Sequence, residues 1–363
     1  MPFSHPSFLS ALPLAFVIAS LILIVPISVI TELSPSPTRL EDYFGQDLVV
    51  RTQPRIPGIG ISLNYDYVAA AIYFENGTSV PVAHIDGDVV YRSFMRATYT
   101  ECDSSPRYYS SQPYTRLEES ESLARMLLQL KASIVSRLDG PFCFLVASRP
   151  DYKCNTASDP DGRWNAHQTE VLNSALGKVG LYLGEDRMIH AGFASAFANH
   201  MMSGNEEENG YVLSIDRGHY GWRYTLLYID QGYGASHGGI TFVHDAEERG
   251  PLRDKARDDL RKVLDYDPDF TLDEFKDVII SGDLASDADF QEDLASVLGS
   301  EMVAKARDRD PIYTSALGAA FSSFYNVNSQ LFDPRPGFHC CKKYNGHGCP
   351  AHNQAFWEDK RDY

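Results

Sequence analysis

The stretch "YVLSIDRGHYGWRYTLLYID", Tyr211 to Asp230, reads as two strands around a turn that carries Asp216, Gly218 and Gly221. Such a turn is either a plain hairpin or one wall of an anion pocket, and the stretch alone supports both readings. The surrounding chain supplies the context.

Upstream, "GIGISLNYDYVAAAIYFENGTSVPVAHIDGD" alternates through Ile59, Ile61 and Leu63, then through Val68, Ala70 and Ile72, and after Asn76-Gly77 through Val80 and Val82. That pattern predicts a strand meander. A polar, tyrosine-rich stretch to about Tyr114 comes next. Leu123, Met126, Leu127, Leu130, Ile134 and Leu138 then recur three or four apart, a helix stopped by "DGP" at Asp139–Pro141. "FCFLVAS" reads as a buried strand, and Thr169–Val179 and Ala191–Met202 read as helices. Downstream of Asp230, Leu252, Ala256, Leu260 and Val263 mark one side of a charged helix; "VIISGD" is a short buried strand, and "DFQEDLASVLG" and "DPIYTSALGAAFSSF" are helices. Strands, helix, strand, helix, and then the same again, suggest two related α/β lobes with a ligand cleft between them.

The net charge of −17 over 363 residues leaves no cationic excess for a phosphate backbone, so no nucleic-acid partner is expected. "ALPLAFVIASLILIVPISVI", residues 11–30, is uncharged and as a helix would span roughly 30 Å, about one hydrocarbon core. It is expected to be a single-pass anchor, the alternative being a cleaved signal peptide and a secreted product. Residues 1–10 precede it as a tail, and 31–55, rich in Pro, Ser and charge, form a linker. Six cysteines and the sequon Asn76-Gly77-Thr78 place the remainder on a lumenal or extracellular side. Asn76 is thus either a glycan acceptor or simply a turn residue, Asn-Gly being a preferred type I′ pair.

Four segments, in order, resemble the nucleotide-binding half of the seventy-kilodalton heat-shock proteins and, more widely, the actin-like ATPase superfamily. "IGISLNYDYVAAAIYFENG" is similar to that family's first phosphate loop and hairpin, and "VAHIDGDVVYRSFM" to the strand after it. "YVLSIDRGHYGWRYTLLYID" is similar to the second phosphate loop, and "VIISGDLASDADFQEDLASVLG" with "DPIYTSALGAAF" to the adenosine turn and the helix behind it. The resemblance implies a two-lobed, ribonuclease H-like α/β fold over about residues 56–325, with lobe I at about 56–205 and lobe II at about 206–325. It also implies ATP and Mg2+ as the cleft's ligands, held by Gly60, Asn64, Tyr65, Asp216, Gly218, Gly221, Gly282 and Asp283.

The departures from that pattern point to a degenerate site. Ser62, Asn64, Tyr65 and Asp66 stand where the family has an Asp, a Gly and phosphate-binding hydroxyls. A carboxylate at Asp66 about 4 Å from a phosphate would cost roughly 4 kcal/mol at an effective dielectric of about 20. His219 and Tyr220 replace glycine in the second loop, where a Cβ hinders close backbone approach to phosphate. Ser281, Gly282 and Asp283 replace a Gly-Gly-Ser-like turn, and His190 falls near a family Glu that organises the metal. The family's catalytic lysine has no counterpart, because the first lysine of the chain is Lys131, inside a helix. The expectation is weak or absent nucleotide binding, no catalytic residues, and action through an unidentified protein partner. An ATPase with a rearranged phosphate cradle and a purely structural interaction module are the alternatives.

Two further sets stand apart. Cys143 and Cys154 flank a strand end and are the pair expected to form a local disulfide. The tail, residues 326–363, gathers His339, Cys340, Cys341, His347, Cys349 and His352 in a spacing that fits no standard zinc finger, so disulfides are favoured there over zinc. Asp216 and Asp283 could also be read as an acid–base or metal-binding pair, or as a strand-end aspartate plus a helix cap.

Overall fold

A computed structural model describes residues 55–100, 114–140, 142, 144–150, 166–181, 183, 188–199, 210–219, 221–230, 234–237, 242–243, 251–265, 275–306 and 310–328. The apolar segment 11–30, Cys143, Cys154, Tyr220 and the Cys/His tail beyond Asn328 lie outside these residues. No helix among the described residues is long and apolar enough to cross a membrane.

The architecture is α/β with two mixed sheets. In the first, β1 (Gly58–Leu63), β2 (Tyr67–Tyr73) and β3 (Ser79–Asp86) form the meander read from the alternation. Helices α1 (Val89–Thr100) and α2 (Arg116–Leu138) precede β4 (Val146–Arg149), and α3 (Ala166–Val179) leads to β5 (Met188–His190). The strand order is β3-β2-β1-β4-β5, antiparallel within the meander and parallel from β1 through β4 to β5. Helix α4 (Ala191–Ala198) then leads to the second sheet, made of β6 (Gly210–Gly218), β7 (Gly221–Asp230), β8 (Gly234–His237), β9 (Phe242–Val243) and β10 (Phe275–Ser281). Its order is β10-β6-β7-β8, with β9 also paired to β7; β6–β7 and β7–β8 are antiparallel and β6–β10 is parallel. Helices α5 (Pro251–Leu264), α6 (Ala288–Leu298), α7 (Ser300–Lys305) and α8 (Thr314–Asn328) complete the described chain.

Helix α2 shows how local sequence becomes packing. Thr115 caps it in a reciprocal box with Glu118, so two of its orphan amide donors are satisfied. Leu123, Leu127, Leu130 and Ile134 are buried in one apolar cluster with Ile59, Ile61 and Leu63 of β1 and Val68, Ala70 and Ile72 of β2, each contributing about 1.5–3 kcal/mol relative to exposure. Asp139 ends the helix at φ 53°, a left-handed conformation that Asp tolerates better than most residues.

Helix α1 falls where the sequence reads as strand and polar loop. Its signal was present: Asp88 Oδ1 accepts the Tyr91 amide at 2.9 Å as an N-cap, and Tyr91, Phe94 and Met95, spaced three and four apart, are all buried. Aromatic content masked that period. The Asn76-Gly77 turn also departs from expectation. Gly77 alone takes the left-handed conformation, φ 81°, and donates its amide to Phe74 O at 3.0 Å, so the loop is a type I turn with a glycine bulge rather than type I′.

The two sheets meet through helices α4 and α8, which are built of small residues. Tyr67, Ala69, Ala71 and Tyr73 of β2 cluster with Ala316, Leu317, Ala320 and Phe324 of α8, whereas Ala196 of α4 clusters with Val212, Leu227, Ile229 and Ile279 of the second sheet. Between the helices, Ser195 Oγ and Ser315 Oγ share a hydrogen bond at 3.1 Å. Close approach needs glycine: a Cβ on Gly318 would stand 1.6 Å from Ala194 O, and one on Gly60 would stand 2.1 Å from Ala320 N. Neither obstacle is a side chain that could swing away.

Gly318→Ala should therefore lower stability by at least about 2 kcal/mol, read by urea denaturation. Gly177→Ala, in α3 with nothing within 4 Å of the added methyl, should instead gain about 0.5–1 kcal/mol. Equal effects of the two would contradict this account of the joint.

Candidate functional site

The β6–β7 hairpin places Asp216 directly opposite Arg223, Arg217 opposite Trp222, and Gly218 opposite Gly221. Directly paired residues share a sheet face, so Arg223 lies beside Asp216 and forms an ion pair with its Oδ2. Both residues are buried, Asp216 to 6% and Arg223 to 4% exposure. On the other face the Arg217 guanidinium lies over the Trp222 ring, 5.3 Å from its centroid.

From the first sheet, the β1–β2 turn reaches the same carboxylate. Asn64 Nδ2 donates to Asp216 Oδ2 at 3.4 Å, and the Arg223 guanidinium stands 5.7 Å from the centre of the Tyr65 ring. Helix α1 holds that turn in place: Tyr91 Oη donates to Asn64 O at 2.6 Å, and Arg96 Nη2 and Arg92 Nε approach Asp66 Oδ1 at 3.4 and 4.0 Å. From β10, Gly282 adopts φ 102°, where a Cβ would meet Arg217 O at 2.3 Å and Asp216 Oδ1 at 2.5 Å. Only glycine fits that approach.

Three carboxylates thus gather at the tip of the hairpin. A Cβ on Gly218 would lie 3.5 Å from Asp66 Oδ2 and 3.6 Å from Asp283 Oδ1. Burial pushes the Asp283 carboxyl above the usual range; His219, at 3.3 Å from its Oδ2, pulls it back, and the charges of Asp216 and Asp66 add to the rise. Burial likewise drives the Tyr67 hydroxyl far above its ordinary value, with Asp216 and Asp283 acting in the same direction. Asp216 Oδ1 and Asp283 Oδ1 are both buried without a hydrogen-bond partner among the described residues.

A cavity of ≈ 10 Å³, about one water molecule, is lined by Asn64, Tyr65, Asp216, Gly218, Gly221, Trp222 and Arg223. Five of the eight residues named for a nucleotide line it. Gly282 and Asp283 adjoin it through Asp216 and Gly218, whereas Gly60 belongs to the α8 joint. Asn76 sits apart on an exposed turn, its Oδ1 accepting the Thr78 amide at 3.0 Å. His190 ends β5, 3.4 Å from Arg149 Nη2. Asp283 does not cap a helix: that role falls to Asp287, whose side chain accepts the Phe290 amide at 2.9 Å.

Arg223, Arg217, Arg92 and Arg96 are not marked in the sequence, where phosphate chemistry directs attention to a lysine. Hairpin register would have found the first, since counting outward from Gly218 and Gly221 pairs Asp216 with Arg223. Their presence also changes the electrostatics expected around Asp66. Asp66 is flanked by Arg92 and Arg96, which offset the repulsion expected of its carboxylate. Arg223 engages the Asp216 carboxylate, and among the described residues no group of three or more His, Cys, Asp and Glu could hold a metal ion.

No protein-family model matches the chain, and no curated protein matches it in sequence.

The raised Asp283 value has a definite sign. A carboxyl that holds its proton more tightly when folded favours the native state while protonated, and that contribution is lost as pH rises from the ordinary value through the raised one. Asp283→Asn should gain on wild type as pH climbs from about 4 to 7. The gain stays under about 1 kcal/mol, since solvent still reaches part of the group. Urea titrations across that range check it; a difference that shrinks with pH would contradict the assignment.

Proposed function

We propose that the folded part of the chain is a two-lobed domain of the actin-like ATPase type whose nucleotide crevice is occupied by its own side chains. It acts through contacts with a protein partner, without ATP turnover. The repeated topology supports the two-lobed reading: in each sheet an antiparallel three-strand run, β1-β2-β3 or β6-β7-β8, is followed by a strand added parallel to its first member, β4 or β10. The ordered sequence segments resembling the heat-shock family support it independently.

The single observation that carries the functional reading is the Arg223–Asp216 pair with Asn64 upon it. A ligand pocket usually offers about 300–1,000 Å³, against the ≈ 10 Å³ left here. Residues 11–30 would anchor the domain in a membrane or serve as a cleaved signal, with the domain on the lumenal or extracellular side. Asn76, exposed in its turn, would be accessible to glycosylation there. The closed crevice also favours the variant reading of a purely structural interaction module.

Isothermal titration of the full-length chain with Mg-ATP tests the proposal. The expected result is no binding tighter than about 1 mM, a free energy weaker than about −4 kcal/mol, and no phosphate release. Micromolar affinity with steady turnover would overturn it.

A further inference from the structure

Far from the crevice, the β2–β3 turn gathers three side chains around Asn76. Register pairs Ile72 with Val80 and Tyr73 with Ser79, and Phe74 then donates its amide to Thr78 O at 2.9 Å, so Phe74 and Thr78 stand opposite each other. Directly opposed residues share a face. Thr78 Oγ1 donates to Asn76 Oδ1 at 2.7 Å, and the Thr78 amide donates to the same oxygen at 3.0 Å. These bonds draw the carboxamide onto the face that Phe74 and Thr78 share. The intervening Glu75 is taken by Arg55, whose amide donates to its Oε2 at 3.4 Å and whose guanidinium lies over Phe324, 6.0 Å from the ring centroid. Phe74, by contrast, packs only partly buried against the cluster that holds Ile72 and Leu127.

We propose that Asn76 carries an N-linked saccharide whose first N-acetylglucosamine rests on the Phe74 ring, so that the turn is a built modification site. Three features converge on it. Thr78 occupies Oδ1 twice, which leaves Nδ2 unused by any hydrogen bond among the described residues. Gly77 at φ 81° lets the chain turn back immediately after the acceptor. Phe74, two residues before Asn76, offers a partly exposed aromatic face. One face of a pyranose is a layer of C–H groups with slight positive charge, which the negative face of an aromatic ring attracts. In the transfer, Asn76 Nδ2 bonds to the anomeric carbon of a lipid-linked oligosaccharyl diphosphate. The bond from that carbon to the diphosphate oxygen breaks, the diphosphate leaves with the electron pair, and Nδ2 gives up one proton. The inference rests on the lumenal or extracellular placement above and adds the group that receives the sugar.

The test expresses the full chain in a eukaryotic secretory host and reads residue 76 by mass spectrometry. Val50→Asn, which makes residues 50–52 a second sequon, is the internal control. Glycan at Asn76 is the expected result. Chain trimmed to a single N-acetylglucosamine is then compared with the same chain made without glycan. The sugar should raise the wild-type Tm by about 2–4 °C, the size of shift that one aromatic contact gives. Phe74→Leu keeps an apolar side chain but has no ring, and at least half of that gain should disappear. Each variant is compared with its own bare form, so stability lost to the substitution itself cancels.

Glycan on the control with Asn76 bare would overturn the proposal and leave the placement intact. An equal Tm gain in wild type and Phe74→Leu would overturn it too. Should Phe74→Leu fail to fold, NMR of the wild-type glycoprotein decides: C–H protons of the first sugar shifted upfield by the ring support the contact, and unshifted ones refute it. Glycan at neither sequon would instead defeat the lumenal placement, so the two failures are distinguishable.

Discussion

A carboxylate at the inner end of a hairpin strand has to be compensated, and the arrangement of the crevice follows from how that is done. Asp216 is almost fully buried. Left alone, it would be an unpaired charge in a low-dielectric interior, costing several kcal/mol. The compensation comes from seven residues further along the same hairpin. Asn64 and Tyr65 then have a preformed ion pair to settle on. The first sheet's turn closes over the second sheet's hairpin at the same spot.

Closure at that spot is reinforced from behind. Helices α4 and α8 bring the two sheets together through alanine, serine and glycine, so their backbones approach more closely than larger side chains would allow. Helix α1 fastens the β1–β2 turn through Tyr91 and flanks Asp66 with Arg92 and Arg96. The crevice is thus tied at its mouth by polar contacts and at its base by close packing.

Much of the framework is legible in the sequence. Period-two alternation through Ile59, Ile61 and Leu63 and through Val68, Ala70 and Ile72 marks the meander, and the spacing from Leu123 to Leu138 marks α2, because burial on one face dictates those periods. Helix α1 is hidden by its aromatic and β-branched residues, which read as strand until the Asp88 cap is noticed. At the site, Asn64, Asp216 and the two hairpin glycines are legible from their place in the turns. The arginines are not, because phosphate chemistry directs attention to a lysine after the third strand. The charge that matters is reached by cross-strand register. Nor does the sequence reveal that a neighbouring helix supplies counter-charges to Asp66.

The most direct measurement is a crystal structure of the chain grown in millimolar Mg-ADP. The expected density shows the Arg223 guanidinium on Asp216 beneath the Tyr65 ring, with no nucleotide between the two turns. Ordered diphosphate at the β6–β7 turn, with Arg223 displaced and a metal ion beside Asp216, would contradict the account.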